Sequence, residues 1–277
     1  MADILQNFKC KKVWYIFSLL LIPIYTFSQN SLCSWNLKDF GKSKSDVELS
    51  FIAKTINQFD IVAIQEVVAG DGGAQAVARL YDILNRMGSK WDYVVSDPTS
   101  GDSYKKERYA FIWKPSKVKA IGRGWLEKKY NVEIDREPFL MTFESSTKRF
   151  TIVNFHAITK AKQPETEIKY FKFFSAEYSD LNLIFCGDFN LPQSHSVFNP
   201  LKSQGYKSLL VNQKTSLRQK CLSNDCLASE YDNIFYRPEK VRLIKSGVVH
   251  FYTKFENLTT ALLISDHIPI FFIVSLN

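Results

Sequence analysis

Cysteine and histidine are scarce in this sequence, and tracts that would divide the chain are missing. Its 277 residues include 5 cysteines and 4 histidines. Cys221 and Cys226 have no second Cys or His pair at the spacing of a zinc site. There is no Pro/Gly/Ser-rich linker, low-complexity tract or internal repeat. A hydrophobic content of 45% is enough for one large core, so we predict a single domain over residues 30–277.

The first 29 residues have the pattern of a secretory signal peptide. A positive segment with three lysines precedes the apolar run 13–24. Ser28 then offers a small residue just before Gln29, as a cleavage site requires. The apolar run is short for a transmembrane span, although an uncleaved membrane anchor is the alternative. We therefore expect residues 1–29 to be a leader and the protein to be secreted or periplasmic.

The cysteines that would remain after cleavage fall into two kinds. Cys33 and Cys186 lie in apolar runs, which predicts buried thiols. Cys221 and Cys226 lie in the polar stretch KCLSNDCLASE. Outside a reducing cytosol, these two could form a disulfide that closes a short loop.

The net charge of +8 is moderately basic. Such a surface suits a polyanionic partner, nucleic acid among them. An ordinary protein with many solvated lysines would have the same charge, so charge alone identifies no partner.

The hydrophobic pattern alternates between strands and a few helices. Ser45 opens a helix with the capping-box sequence SDVE, and two more helices are predicted from about 75 and over about 165–178. The glycine-rich stretch 69–74 is predicted to be a loop. The predicted strands are 31–37, 61–64, 91–95, 109–113, 117–121, 139–143, 150–155, 183–186, 234–236, 241–244, 248–252 and 268–274. Short turns join most strands, so we predict an α/β four-layer sandwich of two mixed, mostly antiparallel sheets flanked by helices.

Polar residues suited to catalysis stand at the ends of these strands. Each alone could be a turn residue, a cap or a satisfied core side chain. Together they make a site rich in oxygen ligands, which suits Mg²⁺ or Mn²⁺. The two histidines among them are a natural acid–base pair. The set comprises Asn36, Glu66, Glu107, His156, Asp188, Asn190, Asp232, Asp266 and His267.

A series of short motifs in a fixed order resembles the endonuclease/exonuclease/phosphatase superfamily. The motifs are SWNL, IQEV, YKKERYAFIW, DREP, NFHA, GDFN, EYDNI and ISDHIPI, and they cover nearly all of the chain from residue 31 onward. GDFN and SDH are shared across the superfamily. The run VVSDPTSGDSYKKERYAFIWKPSKV followed by DREP is narrower, and resembles the deoxyribonuclease I branch.

The resemblance implies a role for each matching residue. Metal ligands would be Glu66, as the chief ligand, with Asn36, Asp188 and Asp266. The catalytic group would comprise His156 and His267 as the acid–base pair, Glu107 and Asp232 as the carboxylates that orient them, and Asp188 and Asn190 at the scissile phosphate. Substrate contacts would come from Arg136, Arg108, Tyr104 and Asn190.

Two departures from the family pattern stand out. Val68 occupies the position after QEV where the family enzyme has an arginine that enters the minor groove. The small disulfide before the REP motif, whose loop helps to hold structural calcium, is also absent. Ca²⁺ is therefore possible but not supported by the sequence.

The resemblance implies a secreted, Mg²⁺- or Mn²⁺-dependent endonuclease that cuts DNA with little sequence preference and leaves 5′-phosphate ends. No stable protein partner and no membrane contact beyond the leader are implied, and we expect a monomer. One alternative keeps the fold and chemistry but acts on a lipid, as sphingomyelinases do, or on an inositol phosphate. Another is a non-catalytic module that binds nucleic acid or protein, which would require a degraded site.

Overall fold

The computed structural model describes residues 29–101, 106–223 and 225–277. Its strands are β1 (Gln29–Phe40), β2 (Ile61–Val68), β3 (Asp92–Val95), β4 (Glu107–Trp113), β5 (Lys119–Leu126), β6 (Phe139–Ser145), β7 (Lys148–His156), β8 (Leu183–Asp188), β9 (Lys207–Ser208), β10 (Leu217–Leu222), β11 (Asp225–Leu227), β12 (Asp232–Tyr236), β13 (Val241–Val248) and β14 (Ile270–Leu276). Its helices are α1 (Asp46–Ile56), α2 (Asp71–Asn85), α3 (Glu165–Ile168), α4 (Phe171–Glu177), α5 (Asn199–Ser203) and α6 (Leu258–Ile264), with 3-10 turns at Lys160–Lys162, Ser196–Phe198 and Phe251–Lys254.

Two six-stranded sheets form the centre of the molecule. Sheet I has the order β13-β14-β1-β2-β4-β3, and sheet II has the order β5-β6-β7-β8-β12-β9. One pair in each sheet, β1–β2 and β7–β8, is parallel. The other pairs are antiparallel. The predicted pair of mixed, mostly antiparallel sheets is confirmed.

Apolar layers hold the sheets and helices together. Residues such as Leu32, Phe111 and Ile152 fill the space between the two sheets. On the outer face of sheet I, α1, α2 and α6 bury their apolar sides. On the outer face of sheet II, an aromatic cluster that includes Phe171 and Phe185 packs under α3, α4 and α5. The result is the predicted order of layers, helices–sheet–sheet–helices.

The start of α1 follows the predicted capping box. The Ser45 hydroxyl accepts from the Glu48 N–H at 3.3 Å, and the Glu48 carboxylate accepts from the Ser45 N–H at 2.6 Å. Both bonds satisfy N–H groups that a helix start leaves unpaired. The described residues contain no helix that is long and apolar enough to cross a membrane. The predicted leader lies outside the described residues except for Gln29, and it remains a prediction.

Three local predictions were wrong. The stretch 69–74 is not all loop, because α2 already begins at Asp71. A Cβ on Gly73 would lie 2.0 Å from the carbonyl oxygen of Val68, so glycine lets this first helical turn pack against β2. The predicted helix over 165–178 is two short helices, α3 and α4. The predicted strands 241–244 and 248–252 are one strand, β13, with a register shift between Leu243 and Lys245, followed by a 3-10 turn.

The topology brings the predicted site residues to one edge. Within each sheet the parallel pair, β1 with β2 and β7 with β8, points its carboxyl ends the same way, and β4 or β12 runs antiparallel beside it. The ends of β1 and β8 come together, because Asn36 donates to Asp188. Glu107 therefore begins β4 beside the end of β2, and Asp232 begins β12 directly opposite Asp188. Residues from both sheets meet at this edge.

Candidate active site at the shared edge of the sheets

Irregular backbone shapes the edge where the candidate residues meet. The β1–β2 register shifts between Asn36 and Phe40, and the β2–β4 register shifts between Ile64 and Val67. Glu66 lies within the second irregularity and has a positive φ of 60°. Such a conformation is costly for a non-glycine residue and is concentrated at functional sites. The irregular backbone therefore gives Glu66 a direction that a regular strand would not.

Gly187 allows the two parallel strands of sheet II to approach closely. Its φ is 136°, and a Cβ there would lie 1.8 Å from the carbonyl oxygen of Phe155. Only glycine fits both demands. The glycine of GDFN thus lets Asp188, the next residue, stand directly beside His156 at the strand ends.

Asp188 is the centre of the site. It is 1% exposed. Its Oδ2 lies 3.6 Å from Nε2 of His156 and 3.5 Å from Nε2 of His267. The same oxygen accepts a hydrogen bond from Nδ2 of Asn36 at 3.2 Å. Its Oδ1 accepts from the backbone N–H of Asn190 at 2.9 Å. Asp188 therefore connects both histidines to both asparagines.

His156 is held by a carboxylate on the opposite sheet. Its Nδ1 lies 2.9 and 3.1 Å from the two carboxylate oxygens of Glu107. Since a carboxylate can only accept, this contact places a proton on Nδ1 and leaves Nε2 facing Asp188. Burial and the Arg136 guanidinium lower the pKa of His156, but the charges of Glu107 and Asp188 outweigh them and raise it overall. Burial raises the pKa of Glu107, and His156 and Arg136 together bring it below its usual value.

Arg136, of the DREP motif, is buried beside this pair. Its Nη1 lies 3.2 Å from Glu107 Oε2 and 3.1 Å from His156 Nδ1. Its Nη2 donates to the carbonyl oxygen of Ala157, which also accepts from Nδ2 of Asn190 at 3.0 Å. The side chain is 11% exposed. Arg136 therefore binds Glu107 and the backbone of Ala157 close to His156, and it also lines the adjoining cavity.

His267 has a second carboxylate partner. Its Nδ1 lies 2.7 Å from Asp232 Oδ2. Burial lowers the pKa of His267, but Asp232 and Asp188 more than offset this and raise it well above its usual value. Thr215, which the sequence analysis did not select, donates its hydroxyl to the same Asp232 oxygen at 2.7 Å and accepts from the Asp232 N–H at 2.9 Å.

Glu66 stands at the open side of the site. Its Oε1 accepts from Nδ2 of Asn36 at 2.9 Å, and its Oε2 accepts from the N–H of Asp39 at 3.0 Å. Its side chain is 26% exposed and lines a cavity of about 370 Å³. Asn36 turns its amide nitrogen toward Glu66 and Asp188, and its Oδ1 accepts from the Lys38 N–H at 3.0 Å. Asn36 thus links the two carboxylates rather than presenting its oxygen to an ion.

The donor chemistry fits a hard divalent cation. The Glu66 carboxylate lines the cavity, and the buried Asp188 carboxylate lies next to it, because both accept from Nδ2 of Asn36. Carboxylate oxygens are the ligands that Mg²⁺ and Mn²⁺ prefer. Ligand atoms of Asp188, Asp232 and His267 also lie within 4.8 Å of one another. We favour Glu66 and Asp188 as the metal ligands, because Asp232 Oδ2 already contacts His267 Nδ1 and accepts a hydrogen bond from the Thr215 hydroxyl.

The three remaining predicted site residues are Asp266, Arg108 and Tyr104. Asp266 lies beside His267 in sequence, and its Oδ2 is 3.7 Å from Lys38 Nζ. Arg108 donates from Nε to the Ala69 carbonyl and from Nη1 to the Ser96 carbonyl, both at 2.8 Å, so its guanidinium braces backbone. Tyr104 lies outside the described residues.

Two further side chains that the sequence analysis did not select brace the His267 segment. Ser265 donates its hydroxyl to the carbonyl oxygen of Asn36 at 2.6 Å and accepts from the His267 N–H at 2.9 Å. The indole N–H of Trp35 donates to the His267 carbonyl at 2.8 Å. Trp35 and Ser265 lie within the motifs SWNL and ISDHIPI, but nothing in their residue type marks these contacts.

The cysteine predictions are confirmed. Cys221 and Cys226 form a disulfide that links β10 and β11. Cys33 and Cys186 are buried free thiols, and burial raises the pKa of Cys186 to about 12. The base of the disulfide-bonded hairpin adjoins the site, because the N–H of Leu217 donates to the Asp266 carbonyl at 2.6 Å.

Several known proteins with similar sequences are deoxyribonucleases. Human deoxyribonuclease gamma is 29% identical over 92% of this chain and 88% of its own length. A deoxyribonuclease from Thioalkalivibrio sp. (strain K90mix) is 25% identical over 92% of this chain and 74% of its own length. Bovine deoxyribonuclease-1 is 33% identical over 59% of this chain and 61% of its own.

Solved structures share the fold at lower identity. The human Nocturnin catalytic domain has a TM-score of 0.66 at 15% identity, covering 91% of this chain and 96% of that chain. An endonuclease/exonuclease/phosphatase family protein from Bacteroides thetaiotaomicron has a TM-score of 0.65 at 16% identity, covering 91% and 100%. The family model described as Endonuclease/Exonuclease/phosphatase family matches residues 33–267. The chain therefore belongs to the endonuclease/exonuclease/phosphatase family, in its deoxyribonuclease I-like branch.

Proposed function

We propose that this protein is a secreted, divalent-metal-dependent endonuclease that hydrolyses phosphodiester bonds of DNA with little sequence preference and leaves 5′-phosphate ends. The observation that carries the proposal is the convergence of two carboxylate-held histidines on Asp188. The similarity to deoxyribonucleases over most of the chain supports DNA as the substrate. A fold-level likeness alone would leave the substrate open.

Glu66 and Asp188 would hold Mg²⁺ or Mn²⁺, with Asn36 fixing the two carboxylates. Asp266 is proposed as a further ligand from the family resemblance. When bound, the ion would stabilise negative charge on the phosphoryl oxygens in the transition state. Asn190 is fixed beside Asp188 by its backbone N–H, and its side-chain amide would orient a phosphate at the same place. No feature of the described residues adds support for Ca²⁺.

The two histidines would divide the proton transfers. Hydrolysis takes one proton from water and gives one to the leaving 3′-oxygen. In each pair the carboxylate fixes Nδ1, so Nε2 is the atom that can accept or donate at the phosphate. Because the pKa of each histidine is raised, the protonated form is readily available to serve as the acid.

Substrate contacts are proposed for residues around the cavity. Arg136 lines it and offers a positive charge close to His156. Asn190 is fixed beside Asp188. Arg108 would act by shaping the backbone near Ala69. Tyr104 is retained from the family resemblance alone.

The leader at residues 1–29 and a single catalytic domain over residues 30–277 remain part of the proposal. The Cys221–Cys226 disulfide supports export, because such bonds persist in oxidising compartments. We further propose that the domain acts as a monomer without a stable protein partner.

One preparation of the leaderless protein would test the substrate assignment. It should be incubated in Mg²⁺ with plasmid DNA, RNA, sphingomyelin vesicles and an inositol phosphate. We expect rapid loss of DNA and products that a ligase can join without prior phosphorylation. Turnover of sphingomyelin or the inositol phosphate in preference to DNA would instead assign the site to another substrate of the family. His250→Ala is a matched control, since His250 is exposed and distant in sequence from the site motifs.

A further inference from the structure

We infer that Asn154 and Gln65 are positioning residues that set the alignment of the two sheets at the candidate active site. This inference rests on the proposed function. The site is divided between the sheets: His156 and Asp188 belong to sheet II, whereas Glu66 and Glu107 belong to sheet I. The distances between these residues therefore depend on how the sheets pack, and apolar packing alone allows small slides.

A buried polar bridge crosses the sheet interface directly behind the site. Nδ2 of Asn154 donates to the carbonyl oxygens of Ile64 at 3.1 Å and Ala110 at 3.4 Å. Its Oδ1 accepts from Nε2 of Gln65 at 2.6 Å, and the same Nε2 lies 3.1 Å from the Ser34 hydroxyl. Asn154 and Gln65 are both 0% exposed.

The orientation of this bridge is determined by its partners. The carbonyl oxygens of Ile64 and Ala110 can only accept, so the Asn154 atom facing them must be its nitrogen. Its oxygen then faces Gln65, which must present its own nitrogen. One amide thereby binds β7 to both β2 and β4 at once.

Those three strands carry a histidine and its two carboxylate neighbours. Asn154 precedes His156 by two residues on β7, so both side chains lie on the same face. Gln65 is the residue before Glu66 on β2, and Ala110 follows Glu107 on β4. A slide of sheet II against sheet I would change the 2.9 Å contact of His156 with Glu107 and the 3.9 Å distance to Glu66.

The bridge has a cost that an apolar pair would not have. Oε1 of Gln65 is buried without a hydrogen-bond partner among the described residues. Leaving such an acceptor unpaired disfavours folding, whereas removing both members of a buried polar pair can be neutral or stabilising. The surrounding inter-sheet core is apolar, with Ala63 and Ile152 among its residues. A pair that only held the fold together would be replaceable by leucines.

The test is the double variant Q65L/N154L, with T142V/T151V as the matched control. Thr142 and Thr151 also form a buried polar pair, 2.9 Å apart, but they join β6 and β7 away from the site end. Four readouts are needed: the thermal midpoint, kcat and KM on DNA, the pH–rate profile, and Mn²⁺ affinity measured by calorimetry without substrate.

We expect Q65L/N154L to remain folded with a thermal midpoint near that of wild type, because it removes the unpaired Gln65 oxygen but leaves the Ile64 and Ala110 carbonyls without this donor. It should nevertheless lose kcat on the order of 10- to 100-fold with a much smaller change in KM. Its Mn²⁺ affinity should weaken, and the pH–rate profile should shift because His156 and Glu107 no longer meet as closely. The control variant should keep all four readouts near wild type.

A folded Q65L/N154L protein with wild-type kcat and Mn²⁺ affinity would overturn the inference, as would an equal loss in the control. If the double variant does not fold, N154S provides the same comparison, because serine is too short to reach Gln65 and both carbonyls. Failure of the proposed function would look different: wild-type protein would not cleave DNA, while the Mn²⁺ measurements would still compare the variants.

Discussion

His156 and His267 direct their Nε2 atoms at one oxygen, Oδ2 of Asp188, from 3.6 and 3.5 Å. Each imidazole is held from its other side by its own carboxylate, Glu107 or Asp232. The site is therefore nearly symmetric about Asp188, with one histidine from the end of β7 and the other just before β14. This symmetry suits a reaction that needs one proton acceptor and one proton donor across a phosphate.

Replacing either histidine should abolish most of the activity. His156→Ala and His267→Ala should each lower the rate of DNA cleavage on the order of 10²- to 10⁴-fold. The double variant should lose less than the product of the two single losses, because the groups act as a unit. Single-turnover rates of the variants and of the His250→Ala control would measure this. A loss below about tenfold for either histidine at neutral pH would remove it from the acid–base pair.

The carboxylates should separate into those that orient a histidine and those that bind the metal. Glu107→Gln and Asp232→Asn should lower the rate while Mg²⁺ affinity stays close to wild type, because both carboxylates contact imidazole nitrogens. Glu66→Gln should weaken Mg²⁺ binding, because Glu66 faces the open cavity. Calorimetric titration with the metal, beside the rate, distinguishes the two groups. Strong metal loss in Asp232→Asn would instead favour the group formed by Asp188, Asp232 and His267.

The pattern of apolar runs that end in polar residues was enough to predict the fold and the edge at which the candidate residues gather. Buried runs that end in polar residues become a shared edge when their strands are parallel, as β1–β2 and β7–β8 are. The bulge that gives Glu66 its positive φ could not be predicted, because register shifts depend on the partner strand. Residue type likewise gave no sign that Arg108 would brace backbone carbonyls.

The contact of Thr215 with Asp232 is a second feature that could not be predicted from the sequence. Thr215 has no motif character, and its hydroxyl reaches Asp232 only because the chain before β10 passes beside the start of β12. The prediction of a loop over residues 69–74 was wrong for a related reason. Gly73 allows close packing of α2 on Val68, which a local pattern cannot distinguish from a flexible turn.

Thr215→Val should test the support of Asp232. The change removes the hydroxyl that bonds Asp232 Oδ2 and leaves the N–H groups of Tyr231 and Asp232 without this acceptor. We expect a loss of about 1–3 kcal/mol in the free energy of unfolding and a lower cleavage rate. Thr215→Ser keeps the hydroxyl and should restore both. Denaturant unfolding and initial rates would show this; equal behaviour of the Val and Ser variants would contradict it.

The stability of the metal-free protein should fall as pH rises through the neutral range. The folded-state pKa of His267 is raised well above its usual value, and that of His156 is raised too. Their stabilising contribution is therefore complete below the unfolded pKa of about 6.5 and is lost as pH rises through the folded values. Thermal midpoints in EDTA across this range would record the decline. His267→Ala should flatten it, and His250→Ala should not; a wild-type midpoint that rises with pH would contradict the assignment.

The contribution of Glu107 to the stability of the folded protein should change in the opposite direction, at acidic pH. The folded pKa of Glu107 is lowered, so its contribution is present above the unfolded pKa of about 4.3 and is lost as pH falls through the folded value. Glu107→Gln should therefore make unfolding less sensitive to acid. Acid titration followed by near-UV circular dichroism would compare it with wild type, and an unchanged acid transition would argue against the Glu107 contacts seen here.

Metal-dependent cleavage of DNA is tested most directly by the nicking of supercoiled plasmid DNA by the leaderless protein, followed over a Mg²⁺ titration and after addition of EDTA. We expect that wild type nicks and then degrades the plasmid, that EDTA stops it, and that Glu66→Gln needs more Mg²⁺ to reach any given rate. Cleavage that persists in EDTA, or no cleavage with Mg²⁺, Mn²⁺ or added Ca²⁺, would contradict the proposed function.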